Sequence, residues 1–380
     1  MQIPRETLIP TANEFRVNFK EQTRSHFFKY EVQLPLNPSE TVINELRQSN
    51  AAFPMDRVKL TMWSETELPA IQTAEQLGEL IQEKNPSSHF PVMLLGGLLS
   101  NPSQFDRTGT SFIRKLTDMI RSDGKHAAFH PLYIGMSGLG FTGSEINAIS
   151  DYGKLDVGVR RYQTVLQTVL DELHFPTSRG ALIGHSAGGA VVLEHEHKTT
   201  NDMLAKVALC PAIHLENARQ FDLINKLVRL QENTIYSVKP LRKWSSEKVV
   251  RYLLGIPFAT PFEKLPLAVQ EQIRMHAAEL DAHRYATHMK LGELNKPLNR
   301  GSKTVLSTLS VVAEKDRLTP PSQIKVGFPD DFNGFLTLPK AHHDDVFMRE
   351  ETQTLILPYI ASYLMTKQVD YRKARAQKLM

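Results

Sequence analysis

The residue best suited to chemistry in this chain of 380 amino acids is Ser186. It lies at the centre of a pentapeptide with glycine two positions before it and two positions after it, Gly184-His185-Ser186-Ala187-Gly188. The apolar run 181–183 precedes the pentapeptide, and a helix-like run follows it. Small residues at these two positions allow a serine to occupy a sharp, strained strand-to-helix turn with its hydroxyl exposed. We therefore predict that Ser186 is a nucleophile on such a turn.

A serine hydroxyl needs a histidine to take its proton and a buried acid to orient that histidine. In serine enzymes with this kind of turn, the order along the chain is serine, acid, histidine. Asp316 comes just past the strand-like run 304–312, at the strand end where active sites of open α/β sheets gather. His343 follows a second strand-like run, 335–338, on a loop that can reach back to the serine. The order therefore predicts Asp316 as the orienting acid and His343 as the base.

Rival residues exist for the acid and for the metal-binding alternatives. Glu314, Asp330 and Asp331 are other acids near the same strand, but they are less well placed against its end. His195 and His197 are two positions apart on a predicted helix and do not face each other, which disfavours a metal site there. The run 342–345 could ligate a metal, but no second ligand cluster supports it. We predict no metal and no cofactor.

The tetrahedral intermediate of acyl transfer needs hydrogen-bond donors for its oxyanion. The backbone N–H of Ala187, directly after the nucleophile, is one predicted donor. The second is predicted to be the N–H of Leu98, in the loop that follows the strand-like run 91–95 and contains two glycines. A second glycine-rich stretch, 135–140, resembles a phosphate loop but lacks the lysine that such a loop needs.

Composition excludes several function classes. The hydrophobic content of 41% suffices for a large core, and a formal net charge of +4 is too small to indicate nucleic-acid binding. Cys210 is the only cysteine, so no intrachain disulfide can form. No signal-like segment begins the sequence, and no run approaches the roughly 18 apolar residues of a membrane helix. We expect a soluble, cytoplasmic protein of unknown oligomeric state, although export without a cleaved signal would leave no trace.

Strand-like and helix-like runs alternate from about residue 90 to 213 and again from about 300, which indicates a mostly parallel sheet with helices on both faces. The predicted strands of this part are 91–95, 126–130, 181–184, 207–210, 304–312 and 335–338, with a glycine-rich loop at 135–143. Two further strand-like runs, 27–34 and 57–63, lie in an N-terminal extension, 1–88. Helical segments without a convincing strand fill 214–300, which we interpret as a cap inserted into a core of 89–213 and 301–380.

Four segments together resemble the α/β-hydrolase superfamily, in its serine esterase and lipase branch. They are the oxyanion loop 94–98, the nucleophile turn 184–189, the acid loop 313–321 and the histidine loop 341–347. The resemblance covers about 90–213 and 300–366, and implies an α/β-hydrolase fold with an eight-stranded, mostly parallel sheet. The family often has histidine-glycine where Gly96-Gly97 stand, and usually glycine where His342 stands. The choice between His342 and His343 therefore stays open; we prefer His343, since Asp344 and the apolar residues after it then fall in register.

The leading hypothesis is a serine hydrolase that cleaves a carboxylic ester through an acyl-enzyme on Ser186. The apolar composition of the cap suggests a small-molecule or lipid-like acyl ester as the substrate. Two alternatives stay open: an acyltransferase or thioesterase with the same three residues, and a non-catalytic binding protein with the same fold. Serine at the turn argues against the superfamily members that use aspartate there.

Overall fold

The structure is a computed structural model. It describes residues 15–40, 43–44, 57–82, 90–97, 100, 102–107, 109–122, 124, 129–136, 155–176, 180–195, 205–213, 239–254, 256, 259–267, 269–271, 273–274, 277, 308–326, 328 and 335–378.

The described residues form a nine-stranded sheet with the spatial order β1-β2-β3-β5-β4-β6-β7-β8-β9. The strands are β1 (Arg16–Gln22), β2 (Phe28–Pro35), β3 (Arg57–Ser64), β4 (Phe90–Leu95), β5 (Pro131–Met136), β6 (Ala181–His185), β7 (Ala205–Leu209), β8 (Thr308–Ala313) and β9 (Phe335–Leu338). Strands β4 to β9 pair in parallel, whereas β1, β2 and β3 pair antiparallel to their neighbours. The eight strands predicted are one too few. The strand missed is β1, a mostly exposed edge strand whose side chains lack the buried alternation that marks a strand in a sequence.

Helices cover both faces of this sheet. They are α1 (Ala74–Gln82), α2 (Phe112–Arg121), α3 (Leu155–Glu172), α4 (Ala187–Glu194), α5 (Lys239–Leu253), α6 (Pro321–Val326), α7 (Asp345–Met348) and α8 (Glu350–Lys378). One apolar core includes residues of α1, α3, α4 and α6, and a second includes residues of α2, α7 and α8. Neighbouring residues of β4 divide between these cores, with Met93 in the first and Leu94 in the second, because successive side chains of a strand point to opposite faces. The predicted α/β class with two helical layers is confirmed.

Of the strand predicted at 126–130, residues 129 and 130 precede the observed strand, and residues 126–128 lie outside the described residues. The strand is β5, Pro131–Met136, and it contains Gly135, which the sequence pattern assigns to a loop. A Cβ at position 135 would lie 2.7 Å from Pro102 Cβ and 2.8 Å from the Trp63 ring. Gly135 therefore makes room for two neighbouring side chains rather than for a turn. Residues 137–150, which include most of the phosphate-loop candidate, lie outside the described residues.

The predicted cap, 214–300, is described only in part. Helix α5, a 3-10 turn at Phe262–Lys264 and a small apolar cluster of Val250, Leu254, Ile273 and Ala277 belong to it. Residues 214–238 and 278–300 lie outside the described residues, so the division into extension, core and cap stays a prediction. Of the helices in the described part of the chain, none has the length and apolarity that crossing a bilayer demands.

Candidate active site

Ser186 occupies a strained turn between the end of β6 and the start of α4. Its backbone has φ 54° and ψ −117°, and residues other than glycine rarely adopt a positive φ of this kind. The turn closes tightly, because a Cβ at Gly184 would lie 2.2 Å from the Gly188 carbonyl oxygen, and a Cβ at Gly188 would lie 2.5 Å from that of Leu95. Both glycines of the pentapeptide are therefore required by contact distances. Backbone strain of this kind costs about 1–3 kcal/mol and concentrates at functional sites.

The loop after β4 passes directly over this serine. A Cβ at Gly97 would lie 2.8 Å from Ser186 Cβ, so only glycine fits there. The N–H of Ala187 belongs to the first turn of α4, whose first four N–H groups have no acceptor within the helix and carry its positive dipole end. Leu98, the other predicted oxyanion donor, lies outside the described residues.

Asp316 is buried in the turn after β8, and four donors surround its carboxylate. Oδ1 accepts the backbone N–H groups of Leu318 at 2.8 Å and Thr319 at 2.9 Å. Oδ2 accepts the Thr319 hydroxyl at 2.7 Å and lies 2.6 Å from His343 Nδ1. Burial alone would raise the pKa of Asp316, but His343 and the Thr319 donors outweigh burial and lower it. Asp316 is therefore a carboxylate across the neutral pH range.

His343 lies on the loop after β9 and is 3% exposed. Because the Asp316 carboxylate only accepts, the contact at 2.6 Å assigns the proton to His343 Nδ1 and leaves Nε2 as the basic nitrogen. Burial alone would lower the pKa of His343, but the charge and hydrogen bond of Asp316, with a further contribution from Asp344, raise it above its usual value. The structure thus pairs a histidine with an ionised acid, as a general base requires.

The competing residues take other roles. The backbone N–H of His342 donates to Asp345 Oδ2 at 2.8 Å, and among the described residues no hydrogen bond joins His342 to Asp316. Glu314 is exposed, and its Oε2 accepts the Lys340 N–H at 2.6 Å. Asp330 and Asp331, like His197, lie outside the described residues. Of the candidates that the structure describes, Asp316 and His343 are the acid and histidine that meet.

Adjacent strand ends bring these residues to the same edge of the sheet. The Ser186 N–H donates to the Leu209 carbonyl of β7 at 2.9 Å, and the next residue, Cys210, donates to Val311 of β8 at 2.8 Å. The Cys210 thiol lies within 4.8 Å of ligand atoms of both Asp316 and His343. Within the described residues, no hydrogen bond joins the Ser186 hydroxyl to His343. Catalytic hydrogen bonds are often long or misaligned without substrate.

Two groups of residues bring together side chains of the kinds that bind metals: His185, His343 and Asp344, and Cys210, Asp316 and His343. The donors of the second group do not suit a metal. Nδ1 of His343 is committed to Asp316, and burial raises the pKa of Cys210, so its thiol keeps its proton. A metal site needs deprotonated, available donors.

The sequence analysis does not identify two residues that contact Asp316 or His343. Thr319 donates its hydroxyl proton to Asp316. It stands three residues after an acid and directly before two prolines, a turn-like pattern from which this hydrogen bond could be predicted. His185 precedes Ser186 and is buried against His343, with the two ring centroids 4.7 Å apart. Nothing in the sequence marks that contact.

The sheet is mostly parallel and has helices on both faces. A strained serine follows a central strand, and an acid and a histidine follow in that order at later strand ends. Together these features define the fold class. The chain has an α/β-hydrolase fold.

No protein-family model matches the chain, and no curated protein matches it. Among solved structures, it is similar to the carboxylesterase CesB (YbfK) from Bacillus subtilis, at 11% identity over 79% of this chain and 87% of that chain, with a TM-score of 0.44. It is similar to MGS-M2, an α/β hydrolase from a Medee basin deep-sea metagenome library, at 14% identity over 79% and 93%, with a TM-score of 0.48. It is also similar to a thermophilic esterase from Thermogutta terrifontis, at 15% identity over 88% and 99%, with a TM-score of 0.45.

Proposed function

We propose that the chain is a serine hydrolase that cleaves carboxylic esters through an acyl-enzyme on Ser186. The observation that carries this proposal is a serine on a strained turn at the sheet edge where the buried His343–Asp316 pair lies, with 2.6 Å between Nδ1 and Oδ2. A strained serine and a paired histidine are costly to maintain, and they serve acyl transfer directly.

In the acylation step, Ser186 Oγ attacks the ester carbonyl carbon while His343 Nε2 removes the hydroxyl proton. The carbonyl oxygen takes the electron pair and becomes an oxyanion. Collapse of this intermediate breaks the bond to the alcohol, and His343 returns the proton to the leaving alkoxide. Asp316 holds the imidazole in the tautomer with Nδ1–H and stabilises its transient charge without taking the proton.

In the deacylation step, His343 Nε2 takes a proton from water, which attacks the acyl carbon. Collapse of the second tetrahedral intermediate breaks the bond to Ser186 Oγ and releases the acid, and His343 returns its proton to Oγ, which restores the Ser186 hydroxyl. We assign the backbone N–H of Ala187 as one oxyanion donor, because it begins α4 beside the nucleophile. The N–H of Leu98 is the proposed second donor, and one such donor is worth about 10²–10³ in kcat.

We propose an acyl chain of apolar character for the substrate, bound beneath the cap of residues 214–300. This part of the proposal rests on the apolar composition of that segment. Hydrolysis of p-nitrophenyl esters from acetate to decanoate tests it: kcat/KM should rise with chain length, and a flat profile contradicts it.

Labelling with a fluorophosphonate tests the chemistry. The probe should phosphonylate wild-type protein once, and the Ser186→Ala variant should stay unlabelled while it unfolds at the wild-type urea concentration. Matched loss of labelling in His343→Gln would tie reactivity to the base. A folded wild-type protein that does not react would contradict the proposal and would favour the non-catalytic binding protein instead.

A further inference from the structure

His185 connects the nucleophile turn to the histidine loop. It is the last residue of β6, directly before Ser186, and it is 3% exposed. Its Nε2 lies 3.2 Å from the backbone carbonyl oxygen of His343 and 3.5 Å from Asp344 Oδ1. Its ring packs at 4.7 Å from the His343 ring and at 5.0 Å from the Phe347 ring, measured between centroids.

The partners of His185 assign its tautomer. A carbonyl oxygen and a carboxylate only accept, so Nε2 must carry the proton and donate it. Burial, with the neighbouring His343, lowers the pKa of His185 to about 4, so the ring is neutral across the neutral pH range and Nδ1 has no proton. Nδ1 is buried without a hydrogen-bond partner among the described residues, facing Gly97, where a Cβ would lie 3.4 Å away.

Two contacts therefore fix His343 from different sides. Asp316 holds the imidazole through Nδ1, and His185 holds the main chain of the same residue through its carbonyl oxygen. Because His185 and Ser186 are consecutive, the second contact relates the base directly to the nucleophile turn. This hydrogen bond joins residues 158 positions apart in the chain, and it connects the loop that carries His343 to the turn that carries Ser186.

We propose that His185 is a positioning residue, which donates Nε2–H to the His343 carbonyl and so sets the distance from His343 Nε2 to Ser186 Oγ. This inference rests on the proposed function. Its hydrogen bond to His343 reaches the main-chain carbonyl oxygen rather than an imidazole nitrogen, so His185 acts through the position of that residue. A displacement of the base by about 1 Å is enough to reduce the rate by about 10²-fold.

The substitutions His185→Leu and His185→Gln test this role. Leucine fills the site without a donor, whereas the amide nitrogen of glutamine can replace Nε2–H. We expect His185→Leu to lower kcat for p-nitrophenyl butyrate by about 10- to 100-fold with KM nearly unchanged, since only the geometry of the transition state suffers. We expect His185→Gln to recover at least a third of the wild-type kcat.

The matched control is His195→Leu. His195 is equally buried, at 4% exposure, but lies at the far end of α4. Its substitution should lower the urea midpoint and leave kcat of the folded protein unchanged. If His185→Leu only lowers the midpoint, as the control does, or if His185→Gln is no better than His185→Leu, the positioning role is wrong.

A readout independent of turnover separates this inference from the proposed function. The Nδ1 proton of His343, bonded to Asp316, should give a strongly downfield proton NMR signal in wild type and in His185→Gln, and it should shift or broaden in His185→Leu. An unchanged signal in all three proteins overturns the positioning role even if the wild type hydrolyses esters. A wild type that gives the signal but neither hydrolyses esters nor labels at Ser186 overturns the proposed function alone.

Discussion

His343 Nδ1 lies 2.6 Å from Asp316 Oδ2, and both side chains are sealed from solvent. A buried ion pair is stabilising only when its other polar atoms are also satisfied. Asp316 meets this condition through two backbone N–H groups and the Thr319 hydroxyl. The pair determines which nitrogen of His343 is basic.

Replacement of Asp316 by asparagine should reduce kcat by about 10³- to 10⁴-fold, because the amide no longer enforces the Nδ1–H tautomer. The pKa of His343 should also fall, since burial lowers it and the charge of Asp316 is what outweighs burial. Because the base must be neutral and its pKa is raised above the usual value, the acid limb of kcat/KM should lie above pH 6.5 in wild type and should move to lower pH in Asp316→Asn. A pH–rate profile measures both effects, and an acid limb that stays in place would contradict the assignment of His343.

The stabilising effect of this pair should depend on pH with a defined sign. The Asp316 pKa is lowered from 3.8, so its contribution is present above pH 3.8 and is lost as the pH falls through the folded-state value. The His343 pKa is raised from 6.5, so its contribution is complete below pH 6.5 and is lost as the pH rises through the folded-state value. The coupling energy from a double-mutant cycle with Asp316→Asn and His343→Gln should be largest between pH 3.8 and 6.5. A coupling energy that does not change from pH 5 to 9 would contradict the predicted pH dependence of this pair.

Thr319 should matter through its hydroxyl alone. It is fully buried and donates to Asp316 Oδ2 at 2.7 Å. Thr319→Val removes this donor and should lower kcat/KM by about 10-fold or more, since a hydrogen bond to a charged group is worth about 1.5–3 kcal/mol. Thr319→Ser keeps the hydroxyl and should retain most of the activity. Equal losses in the two variants would contradict a role of the hydroxyl alone, and a loss confined to Thr319→Ser would show that the site needs the methyl group instead.

The glycine before the nucleophile should tolerate no side chain. A Cβ at Gly184 would lie 2.2 Å from the Gly188 carbonyl oxygen and 2.8 Å from the Gly189 nitrogen, so Gly184→Ala must displace the turn. We expect a loss of about 3 kcal/mol or more in the free energy of unfolding by urea. Gly109→Ala is the control. A Cβ at Gly109 would have no atom within 4 Å other than those of its chain neighbours, so only the positive φ of 83° costs energy, about 1 kcal/mol. Similar losses of unfolding free energy in the two variants would show that close contacts at Gly184 do not cause the destabilisation.

The sequence predicts those parts of the site that short-range patterns encode. Glycine spacing around Ser186 follows from contacts within one turn, and the strand ends before Asp316 and His343 bring distant residues to one edge by topology. The sequence pattern assigns Gly135 to a loop, but it lies in a strand, where glycine is needed because Trp63 and Pro102 pack closely against it. His185 shows no signal, because its partner is a main-chain carbonyl 158 positions away.

The most direct test of catalysis by Ser186 is the location of the acyl group during turnover. Wild-type protein is mixed with p-nitrophenyl butyrate, quenched with acid within milliseconds, digested and examined by peptide mass spectrometry. We predict one butyryl group, on the peptide that contains Ser186, formed in a burst of p-nitrophenol and absent from Ser186→Ala. An acyl group on another residue, or full turnover by Ser186→Ala, would contradict the mechanism.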